Sequence, residues 1–288
     1  MERMKELIRL LNEAAKAYYQ ESREIMPNYE YDRLYDELEE LERKTGITLS
    51  NSPTIRVGYE VLSDLPKEKH PKKMLSLDKT KDVGALAAWL GSQEGVLSWK
   101  LDGLTIVLTY EEGKLAKAVT RGNGEIGEVI TSNARTFENL PLAIDFKGEL
   151  VLRGEAVISY ADFEKINDEI TDEGAKYKNP RNLCSGSVRQ LNNEITAQRH
   201  VQFFAFSLVS ADGVEFKTRN EQFDWLTERG FQVVEHVSVN AKTISDAVSA
   251  FEAKIADNPV PSDGLVLSYN DIEYGRSLGE TAKFPRDS

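Results

Sequence analysis

Two runs near the N-terminus place apolar residues at the spacing of an amphipathic helix. In residues 3–19 the apolar positions are Met4, Leu7, Ile8, Leu11, Ala14, Ala15 and Tyr18. In residues 29–44 they are Tyr31, Leu34, Tyr35, Leu38 and Leu41. We expect Asn28 to cap the second helix and Gly46 to end it. An irregular segment rich in Pro, Ser and Lys follows, so the pattern predicts a small all-α unit over residues 1–69.

Beyond residue 69 the pattern changes to strands mixed with helices. Apolar runs predict strands at 96–100, 104–110, 115–120, 149–158, 201–209, 231–238 and 264–269, and "YEEGK" predicts a hairpin turn between the second and third of them. Helical spacing predicts helices at 125–136, 160–170, 182–191, 220–229 and 243–256. Because strands do not alternate strictly with helices, we expect an α+β domain of antiparallel sheets with flanking helices over residues 70–288.

Charge and cysteine content narrow the class of protein. The net charge of −12 argues against a protein that coats nucleic acid. One window, residues 176–199, is nevertheless basic, with five Lys or Arg residues against Glu194 alone, which fits an anionic ligand at one site. A single cysteine, Cys184, excludes an internal disulfide and a cysteine-based metal site. With no signal peptide and no apolar run of membrane-spanning length, we expect a cytoplasmic protein without membrane contact.

The most apolar stretch of the chain, "VLSWKLDGLTIVLTY" at residues 96–110, contains Lys100, Asp102 and Gly103. A lysine attacks phosphorus only as the free amine, which an apolar setting favours, and a glycine lets the backbone approach a ligand closely. The alternative is an edge-strand lysine that blocks aggregation, followed by an Asp-Gly hairpin turn. These few residues alone favour the alternative.

Motifs downstream of the lysine change that preference. "TRGNGEIGE" opens with Arg121, "LRGE" ends with Glu155, "NPRNLCSGSVRQL" carries Arg181 and Arg189, and "PSDGLVLSY" contains Asp263 next to a strand. Arginines neutralise charge on a transferring phosphate, and carboxylates hold ribose hydroxyls or Mg²⁺. A lysine, arginines and isolated carboxylates at strand ends therefore point to phosphoryl or nucleotidyl transfer.

In this order the motifs resemble the adenylation region of the bacterial NAD⁺-dependent DNA ligases, over nearly the whole chain. The segment "AYYQESREIMPNYEYDRLYDELEELE" resembles that family's N-terminal helical unit, which binds the nicotinamide mononucleotide (NMN) half of NAD⁺. The resemblance implies self-adenylation by NAD⁺ with release of NMN, the first step of DNA nick sealing in replication and repair. It also implies Mg²⁺ as a cofactor and nicked double-stranded DNA as a partner of the full-length protein.

The resemblance assigns a role to each residue that matches a motif. Lys100 is the nucleophile that takes AMP, Asp102 positions the nucleotide and the lysine, Glu155 contacts the adenylate ribose, and Asp263 lies near the phosphate and the metal. The further nucleotide-binding residues are Tyr18, Tyr31 and Asp32 for NMN, Ser76 and Leu77 for adenine, and Gly103, Arg121 and Gly264. Arg121, Arg181 and Arg189 act on the nucleotide phosphates or the DNA backbone. Tyr31 also lies on the apolar stripe of its helix, so packing is an alternative role for it.

Several positions depart from the family's pattern. Ser98 stands where a glutamate is usual and Ser268 where a lysine is usual, while Tyr19, Asn28 and Asn123 replace a histidine and two aspartates. These changes remove charge near the reacting phosphates. The sequence also lacks the family's oligonucleotide-binding, zinc and helix-hairpin-helix parts. We therefore expect a shortened chain or a divergent copy, monomeric and unable to seal nicks alone.

Two other functions remain open at this point. A degenerate ligase-like module would bind NAD⁺ or nicked DNA without efficient catalysis, although the retained lysine argues against it. A nucleotidyltransferase that uses ATP or GTP, such as an RNA ligase or a capping enzyme, would share the Lys-Leu-Asp-Gly motif. The tyrosine-rich N-terminal helices argue against this second alternative, because they make sense only with a nicotinamide half to bind.

Overall fold

A computed structural model describes residues 1–21, 25–55, 60, 62–280 and 285–288, without the side chains of residues 18–21 and 28. The helices are α1 Glu2–Glu21, α2 Asn28–Thr45, α3 Val83–Leu90, α4 Thr131–Ala134, α5 Tyr160–Glu169, α6 Pro180–Val188, α7 Asn193–Ala197, α8 Arg219–Glu228, α9 Ile244–Ala253 and α10 Ile272–Ser277. The strands are β1 Thr48–Leu49, β2 Lys67–Lys69, β3 Gly95–Leu101, β4 Leu104–Glu111, β5 Lys114–Thr120, β6 Ile126–Glu128, β7 Pro141–Ala143, β8 Leu150–Val157, β9 Gln202–Ala211, β10 His236–Val239 and β11 Ser262–Tyr269. Among the helices so described, none is long and apolar enough to cross a membrane.

Helices α1 and α2 pack together through the apolar stripes that the sequence predicts. Their buried residues are Met4, Leu7, Ile8, Leu11, Leu34 and Leu38. Gly46 ends α2 in the left-handed conformation at φ 67°, as expected. The helix begins one residue earlier than predicted, with Pro27 at the N-cap position, so the assignment of Asn28 as the cap is wrong. The ring of Pro27 fixes φ near −60°, a value compatible with entry into the helix.

Two short strands connect the helical pair to the rest of the chain. Strand β1 pairs antiparallel with β7, and β2 pairs antiparallel with β6. Both strands therefore hydrogen-bond to elements beyond residue 69 although they lie before it. The division of the chain at residue 69 stays a prediction.

A six-stranded antiparallel sheet forms the centre of the larger unit, in the order β1-β7-β5-β4-β8-β9. One face is buried under helices, with Ile106, Leu108, Leu150, Leu152 and Phe203 in the core. The hairpin predicted at "YEEGK" joins β4 to β5 through Glu112 and Gly113, which both have positive φ, as a two-residue turn of type I′ requires. The α+β class predicted from the sequence is confirmed.

A second, three-stranded sheet has the order β10-β3-β11 and is also antiparallel. Leu97, Trp99, Leu267 and Tyr269 cover one of its faces and pack with residues of α3 and α9. The chain passes from this sheet to the larger one between β3 and β4. Residues 102 and 103 form that crossing.

One predicted helix is largely absent. Residues 126–128 form strand β6 instead, and only Thr131–Ala134 of the predicted segment 125–136 is helical. The Thr120 side chain accepts a hydrogen bond from the Glu128 amide, and a Cβ at Gly127 would lie 1.8 Å from the Thr120 carbonyl oxygen. This close backbone pairing, which the local sequence does not reveal, overrides the helical spacing.

Candidate active site

Lys100 lies at the end of β3, immediately before the crossing between the two sheets. Strand β3 is the central strand of its sheet, so the interpretation of Lys100 as an edge-strand residue is wrong. Side chains alternate along a strand, so Trp99 and Leu101 face the apolar core while Lys100 faces the opposite side. The apolar neighbours in sequence therefore do not bury the amine. The expectation of an apolar setting for Lys100 is also wrong: its side chain is 36% exposed.

The amine of Lys100 is held by a carboxylate instead. Its Nζ donates to both oxygens of Asp263, at 2.7 and 2.9 Å. Asp263 lies on β11, where the neighbouring Gly264 is directly opposite Lys100. The register shifts between Ser262 and Gly264, and this irregularity presents the aspartate side chain to the lysine. Asp263 and Gly264 thus lie within the strand rather than before it.

The remaining motif residues, Asp102 and Gly103, contact elements outside the small sheet. Asp102 accepts a hydrogen bond from Arg181 of α6 at 2.7 Å. The Gly103 amide donates to Glu155 at 3.0 Å, and a Cβ at this position would lie 1.9 Å from the Ala156 carbonyl oxygen. Gly103 is therefore required so that the crossing can pack against β8, whereas the sequence suggested close approach to a ligand.

Glu155 is the buried carboxylate of the site. It accepts hydrogen bonds from the Gly103 amide and from the Thr105 hydroxyl, the latter at 2.8 Å. Burial raises the pKa of Glu155 to about 7, although these hydrogen bonds and the charges of Arg181 and Lys100 act in the opposite direction. Glu155 thus lies close to both cations and shares the site with the nucleophile candidate.

Arg121 follows β5 and lies beside the crossing. Its amide donates to the Thr105 carbonyl at 2.9 Å, and its guanidinium donates to the Ser76 hydroxyl at 3.3 Å. His70, which is buried, is within 3.1 Å of the carbonyls of both Thr120 and Arg121 through Nε2. These contacts fix the start of the glycine-rich turn.

The turn itself tolerates one departure from the family's pattern. Asn123 accepts hydrogen bonds from the amides of Glu125 and Ile126 at 2.9 and 2.8 Å. A side-chain oxygen at position 123 is what this turn requires, and asparagine supplies it as aspartate does.

The two serines that replace charged residues both lie on the face of the small sheet that carries Lys100. Ser98 is two residues before Lys100 on β3, and Ser268 lies on β11 opposite Val96. Ser98 is largely buried. Ser98 is therefore a neighbour of the lysine on this face, whereas Ser268 lies opposite a residue four positions away from it.

The other predicted residues are distributed more widely. Arg189 pairs with Glu128 and Ser185 and is not directed to the Lys100–Glu155 site by these contacts. Tyr31 stacks on Tyr35 within α2, with ring centroids 6.3 Å apart, and Asp32 is exposed on the same helix. Leu77 is half-buried beside the exposed Ser76, and the side chain of Tyr18 lies outside the described residues.

The basic window of residues 176–199 is less cationic in three dimensions than in sequence. Lys176 pairs with Glu173, Arg181 with Asp102 and Arg189 with Glu128. Acidic residues from outside this window therefore neutralise much of its positive charge.

Two residues of the site were missed from the sequence: Thr105 and His70. Thr105 holds Glu155, and His70 holds the backbone at Arg121. Their partners are 50 or more residues away in the chain. No local signal marks them, since only the strand register brings each pair together.

A metal site of several protein ligands is absent from the described part of the chain. No group of three or more His, Cys, Asp or Glu residues there could hold a metal ion. Asp263 is the carboxylate nearest to the Lys100 amine, and its side chain is 43% exposed. Asp263 can thus offer Mg²⁺ one carboxylate, which suffices when substrate phosphates and water supply the other ligands.

Comparison with known proteins shows which family the chain belongs to. Residues 62–287 match the model of the NAD-dependent DNA ligase adenylation domain, and residues 1–58 match that of the DNA ligase-like N-terminal NAD⁺-binding domain. A protein named DNA ligase from Ruminiclostridium cellulolyticum is 65% identical over 99% of this chain, and one from Lachnoclostridium phytofermentans is 63% identical over 99%. The chain spans 44% of the length of each of these relatives.

Similarity to solved structures is slight. An archaeal ATP-dependent RNA ligase aligns with 70% of this chain and 46% of its own, at 14% identity and a TM-score of 0.43.

Proposed function

The chain belongs to the NAD-dependent DNA ligase family, and we propose that it performs that family's adenylation step on Lys100, with NAD⁺ as the adenylate donor. The observation that carries the proposal is the position of the Lys100 amine. It lies at the junction of the two sheets, bound by Asp263 on one side and close to Glu155 on the other. A nucleophile, an orienting carboxylate and a ribose acceptor therefore meet at one point.

The reaction is a substitution at phosphorus. The Lys100 ammonium, which is paired with Asp263, first releases one proton to solvent. The lone pair of the free amine then attacks the adenylate phosphorus, and a P–N bond forms. The P–O bond to the phosphate of NMN breaks, and NMN leaves with that electron pair. The attacking nitrogen becomes acidic as the new bond forms, and Asp263, within hydrogen-bond distance, is placed to accept its proton.

The surrounding residues position the dinucleotide. Glu155 accepts a hydrogen bond from a ribose hydroxyl, and Arg121 contacts a phosphate. Arg181 acts by holding Asp102, which sets the crossing after the lysine. Ser76, whose hydroxyl accepts a hydrogen bond from Arg121, and its neighbour in sequence Leu77 contact the adenine.

Residues of this chain are also proposed to hold Mg²⁺ and NMN. When bound, Mg²⁺ neutralises phosphate charge, and Asp263 is the residue that would hold it. Tyr18, Tyr31 and Asp32 on the two N-terminal helices bind the NMN half. Nicked duplex DNA is the partner of the longer protein, in which sealing takes place.

Intact-protein mass spectrometry tests the proposal. Wild-type protein incubated with NAD⁺ and Mg²⁺ is expected to gain one AMP, and Lys100→Ala is expected to gain none. ATP in place of NAD⁺ is expected to give no product. A Lys100→Ala protein that still gains AMP contradicts the assignment of the nucleophile. Binding of NAD⁺ without any covalent AMP supports a non-catalytic module instead.

Asp32→Asn separates the helical unit's role from the chemistry. We expect the variant to be adenylated by NAD⁺ more slowly than wild type, because the contact to NMN is weakened. The reverse reaction, in which added NMN removes AMP from a preformed lysyl-AMP, is expected to be slower for the same reason. Release of AMP to a nicked duplex, which needs no NMN, is the control and is expected to be unchanged in the longer protein. If the variant slows adenylation from NAD⁺ and transfer of AMP to the nicked duplex equally, the NMN assignment is contradicted.

A further inference from the structure

Arg153 lies on β8, two residues before Glu155, and therefore on the same face of the large sheet. That face is opposite the one that carries the buried Leu152 and Ala156 into the helix-covered core. Its partner across the sheet is Val107 of β4, two residues beyond Thr105. Arg153 thus lies about 7 Å further along the strand from Glu155, on the side away from Lys100.

The guanidinium of Arg153 has no partner among the described residues. Its Nε atom is buried without a hydrogen-bond acceptor, and no carboxylate pairs with it there. By contrast, Arg181, Arg189 and Arg219 each meet a carboxylate. In a chain with 48 acidic and 36 basic residues, a half-buried arginine without a counter-ion is conspicuous. Burial of an unpaired charge is costly unless a ligand supplies the opposite charge.

A second arginine adds to that cost. The Arg121 amide bonds to the Thr105 carbonyl on β4, and Arg153 lies opposite Val107, two residues along that strand, so the two arginines are neighbours across β4. Burial, and then the charge of Arg121, lowers the pKa of Arg153, in keeping with this placement. The side chain of Arg121 is bound only to the Ser76 hydroxyl in the described structure, which is neutral. Neither of these two cations forms an ion pair with an acidic residue in the described part of the chain.

We propose that Arg153 and Arg121 together form a phosphate-binding site next to Glu155. Guanidinium groups suit this ligand because their N–H donors match the geometry of phosphate oxygens and keep their charge at every physiological pH. The phosphate oxygens belong either to the dinucleotide or to a nucleic-acid backbone. The inference relies on the proposed function only for the choice between these two sources.

Inorganic pyrophosphate and thermal unfolding of the full chain test the site directly. Ligand-free Arg153→Gln is expected to unfold at the same temperature as wild type or higher, because a repulsion is removed. Pyrophosphate is expected to raise the unfolding temperature of wild type, and the shift is expected to fall by at least half in the variant. A lower unfolding temperature with an unchanged pyrophosphate shift overturns the proposal, since it marks a structural arginine.

Arg199→Gln is the matched control. Arg199 also has a buried, unpartnered guanidinium nitrogen, at Nη1, but it lies beyond α7, 5.9 Å from the Tyr177 ring. The control is expected to keep the full pyrophosphate shift. If Arg199→Gln loses as much of the shift as Arg153→Gln, the effect does not belong to the Arg121–Arg153 site and the proposal fails.

Two further measurements identify the source of the phosphate. A rise of about tenfold or more in the KM for NAD⁺ in Arg153→Gln, the size expected for a lost charge-assisted hydrogen bond, assigns the dinucleotide. An unchanged KM with weaker binding of nicked duplex, and a salt dependence reduced by about one phosphate contact, assigns the nucleic acid. Either change supports the proposal and identifies which molecule supplies the phosphate. If wild type gains no AMP yet pyrophosphate acts through Arg153, the adenylation proposal fails and this site stands.

Discussion

The titration of Glu155 gives the sharpest quantitative test of the site. The residue is 9% exposed, and burial raises its pKa from the usual 4.5 to about 7. A carboxyl group with a higher pKa in the folded state binds its proton more tightly there than in the unfolded chain. Its contribution to stability is therefore complete below about pH 4.5 and is lost as the pH rises through about 7.

The size of this loss follows from the two pKa values. Their difference, at about 1.36 kcal/mol per pH unit, corresponds to about 3 kcal/mol. Glu155→Gln keeps the shape of the protonated side chain and removes its titration. We expect the variant to match wild type at about pH 4.5 and to be more stable by about 3 kcal/mol at about pH 8.5. The difference in the free energy of unfolding between the variant and wild type should increase steadily between these two pH values.

Urea unfolding of both proteins across this pH range measures the difference, and other titrating groups cancel in the comparison. Thr105→Val is the companion variant, because the Thr105 hydroxyl donates to Glu155 and lowers its pKa. It should move the pH-dependent loss of stability to higher pH, and the effect should vanish in the double variant with Glu155→Gln. A free-energy difference that stays flat from about pH 5 to 8, or a less stable Gln variant at about pH 8.5, refutes the reasoning.

Two further substitutions test how the site is held. In Gly103→Ala the new Cβ would lie 1.9 Å from the Ala156 carbonyl oxygen, so we expect a loss of about 1–3 kcal/mol in thermal unfolding and little AMP gain by mass spectrometry. An alanine variant as stable as wild type contradicts the close packing of this crossing. In His70→Ala the carbonyls of Thr120 and Arg121 lose a buried partner, so we expect a loss of about 1–3 kcal/mol and a higher KM for NAD⁺. An unchanged KM shows that His70 stabilises the turn without positioning Arg121.

The sequence identifies the elements of this fold better than their partners. The six longest strands, of seven or more residues each, all appear where apolar runs predict them, within a few residues: β3, β4, β5, β8, β9 and β11. Helical spacing likewise marks α1 and α2, because each stripe buries itself against the other. Short strands such as β1 and β2 are not predicted, because two or three residues are too few to show an alternation of apolar and polar positions. Each of them also pairs with a strand that is distant in sequence.

The site shows the same division. Local motifs locate Lys100, Glu155 and Asp263 near strand ends, and the structure brings all three together. The expectation for the amine fails because strand alternation directs Lys100 away from its apolar neighbours. Arg153, the arginine of "LRGE", is visible in the sequence, but the sequence does not show whether an acid faces it. Only the fold shows that none of the described residues does.

The spacing of the Lys-Leu-Asp-Gly motif has a structural reason. Lys100 must face the side of the small sheet that carries Asp263, whereas Gly103 must pack against β8 of the large sheet. Two residues separate them, enough to leave one sheet and enter the other. Asp102, within that crossing, is bound to α6 through Arg181. Each end of the motif is thus fixed to a different sheet. The separation of the Lys100 amine from the Glu155 carboxylate is therefore set by how the two sheets are joined and not by the motif alone.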